Sequence, residues 1–176
     1  MAFLNIRHAA ALSLPELRQA VKSVVGASKL WTHQTITDTS TAQGPSKVET
    51  SIANSYTRCV IPLSNVNVRE CYMNNLHQIR FGKLLEDLDT FAVYLSYKHS
   101  NVIQSSGTIG RANFSMVTGM VDHITVPKSP INKIDLNMIG YVSWVGQSSL
   151  EVTMHLEQVT GFVFLSFFHL FFPSYI

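Results

Sequence analysis

Residues 80–95, RFGKLLEDLDTFAVYL, do more than any other stretch to limit the folds open to this chain. At about 100° per residue, Phe81, Leu84, Leu85, Leu88, Phe91, Ala92 and Leu95 fall on one arc of a helix. Val93 and Tyr94 carry the apolar character beyond that arc. A helix apolar nearly all round has to be covered on most sides, so the rest of the chain must supply a layer that wraps it. The same helix holds Glu86, Asp87 and Asp89 near its start. The helix dipole favours negative charge there, which accounts for one or two of them. On the wheel Glu86 points roughly opposite the arc, while Asp87 and Asp89 sit near its two edges. An edge position can face a partner domain and still reach a cleft.

The wrapping layer is legible downstream. FSMVTGMVDHITV, KIDLNMIGYVSWV and SLEVTMHLEQV each read as a strand. In the third, Leu150, Val152, Met154 and Leu156 alternate with Glu151, Thr153, His155 and Glu157, so one face is buried and the other wet. Gly146, Gln147 and Ser148 can turn the chain between the last two, giving a hairpin. Tyr56–Ile61 is a further short strand, and residues 98–112 form a polar loop. A long apolar helix followed by antiparallel strands is an α+β pattern. With 46% hydrophobic and 14% charged residues, the chain can bury a core and does not have a disordered composition.

The ends differ from this centre. Residues 1–31 read as a presequence and lead-in helix: Arg7, His8 and Arg18 are present and no acid precedes Glu16, although an ordinary frayed N-terminus fits as well. Within that span, Ser13 and Glu16 have capping-box spacing. Leu17, Ala20, Val21, Val24 and Val25 share a face, and Gly26 can close the helix. Residues 32–55 form a polar linker. Residues 56–159 form the single folded domain. Residues 160–176 are an atypical tail holding six of the ten Phe residues and no Asp, Glu, Lys or Arg. It can be a final sheet strand, a membrane tail anchor, or an altered terminus of a longer protein. The departure in composition favours the last, and membrane contact is not favoured.

Several function classes drop out. The net charge of +2 comes from scattered Lys and Arg with no run of either, so nucleic acid is not an expected partner. Cys59 and Cys71 are too few for a disulfide framework and lack metal-site spacing. His123 and His155 lie on strands without paired ligands, so no metal site is expected. Ser143, Ser148 and Ser149 belong to no nucleophile elbow. No phosphate-binding loop or dinucleotide fingerprint occurs.

IRFGKLLEDLDTFA together with VDHITV and GYVSWVGQSSLEVTMHLEQV resembles the N-terminal hotdog domain of the mitochondrial acyl-coenzyme A thioesterase 9 family. LRQAVKSVVGAS resembles the lead-in helix of the same proteins. The resemblance covers roughly residues 14–159. It implies a hotdog fold, a long central helix wrapped by an antiparallel sheet, and hydrolysis of fatty acyl-CoA to free fatty acid and CoA in the mitochondrial matrix. It implies no cofactor. Relatives carry two hotdog domains in tandem and form their sites between paired domains. A chain with one domain would therefore work as a homo-oligomer or pair with another hotdog domain. After Val159 the sequence departs from the family, and the closing strand is expected to be missing. The alternative is a catalytically inactive fragment that binds acyl-CoA or dimerises.

Thioester hydrolysis needs a polarised carbonyl, a carboxylate to activate water or attack, and a hold on CoA. Backbone N–H groups at a helix start supply the first, and Gly82, lacking a Cβ, lets a carbonyl approach. Asp89 is the leading general base or nucleophile, with Glu86 second, and partial burial would raise its basicity. Many hotdog thioesterases place their acid about one residue further on, here Thr90. Many carry an Asn before the glycine, where His77 and Gln78 are the nearest candidates for substrate contact. Arg80 and Lys83 flank the helix start as candidates for the CoA phosphates.

Overall fold

The computed structural model describes residues 11–25, 51–104, 106–110, 114–125, 130–159 and 161–171. A two-residue strand β1 (Leu12–Ser13) leads into helix α1 (Leu14–Val25), followed by a short helix α2 (Ile52–Ser55), strand β2 (Thr57–Ile61) and helix α3 (Val66–Tyr72). The long helix α4 (Phe81–His99) comes next, then strands β3 (Val117–Thr125), β4 (Leu136–Val145), β5 (Ser149–Gln158) and β6 (Gly161–Phe171). The six strands make one sheet in the order β1-β2-β4-β5-β6-β3. All pairings are antiparallel except the short β1–β2 contact. This is the hotdog fold expected from the sequence.

The apolar arc of α4 does what its spacing dictates. Leu84, Leu88, Phe91, Ala92 and Leu95 are buried, joined by Tyr94, Ser96, Tyr97 and His99 on the remaining sides of the second half. The sheet answers with Met138 and Val142 from β4 and Leu150, Val152, Met154 and Leu156 from β5. Helix and sheet approach so closely that a Cβ on Gly140 would stand 2.6 Å from Leu95 Cδ1 and 2.8 Å from Met154 Cγ. Only glycine fits at that crossing. The β4–β5 hairpin turns at residues 146–148 as anticipated, with Gly146 N–H donating to Ser149 O at 2.8 Å.

The capping box at α1 forms. Glu16 accepts from the backbone N–H and the hydroxyl of Ser13, at 2.9 and 2.6 Å. Leu17 is fully buried, while Val25, placed on the same face by the spacing, is 39% exposed. The linker ends before Ser55, because Ile52–Ser55 is a helix capped by Ser51, and the Ser55 hydroxyl accepts from Val142 N–H at 3.0 Å. The folded region also runs past Val159. β6 pairs along β5 on one side and β3 on the other, so the closing strand expected to be missing is supplied by Gly161–Phe171. A strand hydrogen-bonded on both edges suits a continuous apolar run, and of the three readings of this stretch the final sheet strand is the one its pairing shows. Residues 1–10 and 26–31 of the presequence and lead-in expectation, residues 32–50 of the linker and residues 172–176 of the tail lie outside the described residues.

Candidate functional site

The site is organised around the start of α4. Asn65 caps α3 by accepting from Asn67 N–H. α3 then hands over to α4 through a tight turn built by Asn74. Its side-chain carbonyl accepts from Leu76 and Gln78 N–H at 2.9 Å each, and its backbone N–H donates to Gln78 O at 2.9 Å. His77 sits in the left-handed region with φ 56°, a conformation enriched in His, Asn and Asp among non-glycine residues. Arg80 is the N-cap residue of α4 and makes no side-chain cap. A Cβ built on Gly82 would meet nothing within 4 Å. The helix therefore opens toward space at the point where its dipole is positive.

A cavity of about 350 Å³ lies at this tip, lined by His77, Gln78, Ile79, Phe81, Leu84, Pro130 and Asn132. Its far wall comes from Pro130 and Asn132, distant from the helix start along the chain. Gln158, buried at the end of β5, braces the 130–134 segment. Its amide accepts from Ile131 N–H and donates to Ile131 O and Ile134 O, each at 2.8 Å. Asn132 Nδ2 donates to His77 O at 3.1 Å and ties the two walls together.

The three carboxylates separate by role. Glu86 is exposed and pairs with Lys83 Nζ at 2.6 Å, which holds its carboxyl below the usual range. Asp87 is 1% exposed. It accepts from Tyr72 Oη and Arg18 Nη2, at 2.5 Å each, with Lys83 Nζ 3.9 Å away. Burial first, then this hydrogen bond, pushes the Tyr72 hydroxyl upward, so it remains a donor. The bond to Asp87 likewise raises Arg18. Asp87 thus fastens α1 and α3 onto α4. Asp89 lies on the open side and accepts from Thr118 Oγ1 of β3 at 2.6 Å. Asp89, the leading candidate base, is exposed. Burial falls on Asp87 instead, because a helical wheel does not tell which edge of the arc α1 and α3 will cover.

His77 and Gln78 line the cavity together, whereas the candidate cations at the helix start are engaged elsewhere: Arg80 Nη2 donates to Cys71 O, and Lys83 serves Glu86. Asp89 and Glu86 are not among the lining residues. Asp87, Tyr72, Asn74, Asn132 and Gln158 were not singled out as site residues. Only Asn74 left a sequence signal, as part of the turn-favouring pair Asn74-Asn75 ahead of the long helix. Among the described residues no three His, Cys, Asp or Glu side chains are grouped to hold a metal ion, and no helix is long and apolar enough to cross a membrane.

No protein-family model matches the chain. It is 31% identical over 160 residues to acyl-coenzyme A thioesterase 9, mitochondrial, of Bos taurus, covering 83% of this chain and 35% of the relative. The Homo sapiens protein of the same name is 30% identical over the same proportions. The chain thus spans about a third of the length of these relatives. In fold it is similar to an acyl-CoA hydrolase from Staphylococcus aureus solved with butyryl coenzyme A, coenzyme A and coenzyme A disulfide. That match has a TM-score of 0.53 at 19% identity and covers 70% of this chain and 66% of the other. An acyl-CoA hydrolase from Bacillus cereus matches with a TM-score of 0.53 at 17% identity, covering 70% and 69%. Along most of its length the chain is thus similar to the mitochondrial acyl-coenzyme A thioesterases 9, and it shares a helix-in-sheet fold with these hydrolases.

Proposed function

We propose that this protein hydrolyses fatty acyl-CoA to free fatty acid and CoA in the mitochondrial matrix, at a site built on the start of α4 and completed by a second hotdog domain. The observation that carries this reading is the open helix start, with free space over Gly82 beside the cavity. The thioester carbonyl would lie over Gly82, its developing negative charge met by the N–H groups of the first turn. Asp89 of the paired domain takes a proton from water, the resulting hydroxide adds to the carbonyl carbon, and the C–S bond breaks as the tetrahedral intermediate collapses. The proton held by the carboxyl passes to the departing thiolate, which leaves as CoA thiol.

The position of Asp89 supports completion by a second domain. Among the described residues β3 is the last strand of the sheet, with one edge unpaired, and Val117, Met120, Val121 and Ile124 on it are exposed. Exposed apolar side chains on an open edge favour pairing with another chain or domain. A domain docked there would bring its own cavity against Asp89, which is bonded to β3 through Thr118. The separation of Asp89 from the cavity within one chain favours a second reading, an unpaired domain that binds acyl-CoA without turnover.

Thiol release from acyl-CoAs of several chain lengths tests the proposal, with Asp89→Asn and Gly82→Ala as variants. Gly82→Ala meets no steric obstacle in the fold, so a loss of rate with unchanged melting temperature reports on the substrate. Unchanged rates in both variants would refute the assignment. Binding without thiol release by the parent protein would establish the binding module.

A further inference from the structure

A second groove adjoins the cavity at the helix tip. It measures about 560 Å³ and is lined by Arg69, Glu70, Met73, Asn74, Asn75, His77, Asn132 and Lys133. His77 and Asn132 line both spaces, so their hydrogen bond forms a shared wall. The two differ in chemistry. The tip cavity has Ile79, Phe81, Leu84 and Pro130, whereas the groove has three Asn amides and two cations. Arg69 spends one N–H on Leu63 O at 3.3 Å, and neither Arg69 nor Lys133 has a carboxylate partner among the described residues. Glu70 is the carboxylate of the lining, leaving a net positive groove. By contrast Arg18 and Lys83 are each paired with a carboxylate of α4.

We infer that this groove holds the phosphate-bearing nucleotide end of the CoA thioester, with Arg69 and Lys133 contacting its phosphates while the acyl-bearing end enters the apolar cavity across the His77–Asn132 wall. The inference rests on the acyl-CoA reading above and deepens it. An arginine fork and a lysine ammonium are strong partners for phosphate oxygens. The buried brace from Gln158 fixes the segment that carries Lys133, so the cation is presented from a supported loop.

Calorimetric titration of the full chain with CoA and with pantetheine, which lacks the nucleotide and its phosphates, tests this. Each cation is expected to contribute about tenfold in affinity, from charged hydrogen bonds of about 1.5 kcal/mol. The parent should prefer CoA over pantetheine, Lys133→Gln should weaken CoA, and Arg69→Gln with Lys133→Gln should abolish the preference. Lys133→Glu serves as a second variant at an exposed position where folding is not at stake, and it should weaken CoA further. A folded double variant that binds CoA like the parent overturns the inference, as does a parent that prefers neither ligand. Thiol release separates the two proposals. Release with an unchanged KM for acyl-CoA in the double variant sinks the groove and leaves hydrolysis standing. CoA preference lost in the variant, with no release by the parent, sinks hydrolysis and leaves the groove standing.

Discussion

The two ends of α4 are built from one amphipathic pattern and end up in opposite situations. From Phe91 to His99 the helix is buried on nearly every side, and even Lys98 finds shelter, its Nζ donating to Tyr56 O and Thr57 Oγ1 at 2.9 and 2.8 Å. Burial pushes that ammonium down from its ordinary pKa. From Phe81 to Asp89 the helix is half open, with Phe81 39% exposed and two of three carboxylates in water. The closed end holds the fold together, and the open end is left available for chemistry. A fold that wraps a helix completely at both ends would have nowhere to admit a ligand.

The sharpest way to break that contrast is at the closed end. Phe91→Ala removes a fully buried ring and should cost about 4 kcal/mol, read as a fall in the urea midpoint. At the boundary, Asp87→Ala leaves Tyr72 without its acceptor and Arg18 without its partner, for a cost of about 3 kcal/mol, at the low end because Arg18 is half in water. At the open end the effect should move from stability to rate. Asp89→Asn should slow thiol release about a hundredfold while shifting the melting temperature little. Acid should weaken the folded state more gently. Burial lowers the pKa of His99 and His155 below 6.5, so the unfolded chain takes up protons first and stability falls as pH drops through about 6.5. Urea titrations at neutral and mildly acidic pH check this, and His155→Gln should flatten the dependence. The smallest effect belongs to Glu86→Gln, which breaks an exposed pair with Lys83 and should leave the urea midpoint nearly unchanged.

Most of the architecture could be read from periodicity. The arc on α4 and the strict alternation in β5 each point to one side facing a core, and together they define a helix against a sheet. Two features resist that kind of reading. β6 has no alternation to follow, because an apolar run is equally compatible with a central strand, a membrane anchor or a foreign tail, and the strand shows only in its pairing with β5 and β3. The site depends on contacts far apart in sequence. His77 meets Asn132, Asp87 meets Arg18, and Gln158 meets Ile131. Spacing along one element cannot reveal such partners, so His77 and Gln78 could be named from their nearness to the helix start while Pro130 and Asn132 could not.

The order of the strands has a consequence for synthesis. β3 emerges from the ribosome well before β6, yet β6 is the strand that joins it to the rest of the sheet. Until Gly161–Phe171 arrives, both margins of β3 are vacant and its apolar side chains are open to any neighbouring nascent chain. The period of greatest risk for this protein is therefore the interval between translating those two segments, when chaperone occupancy should be highest.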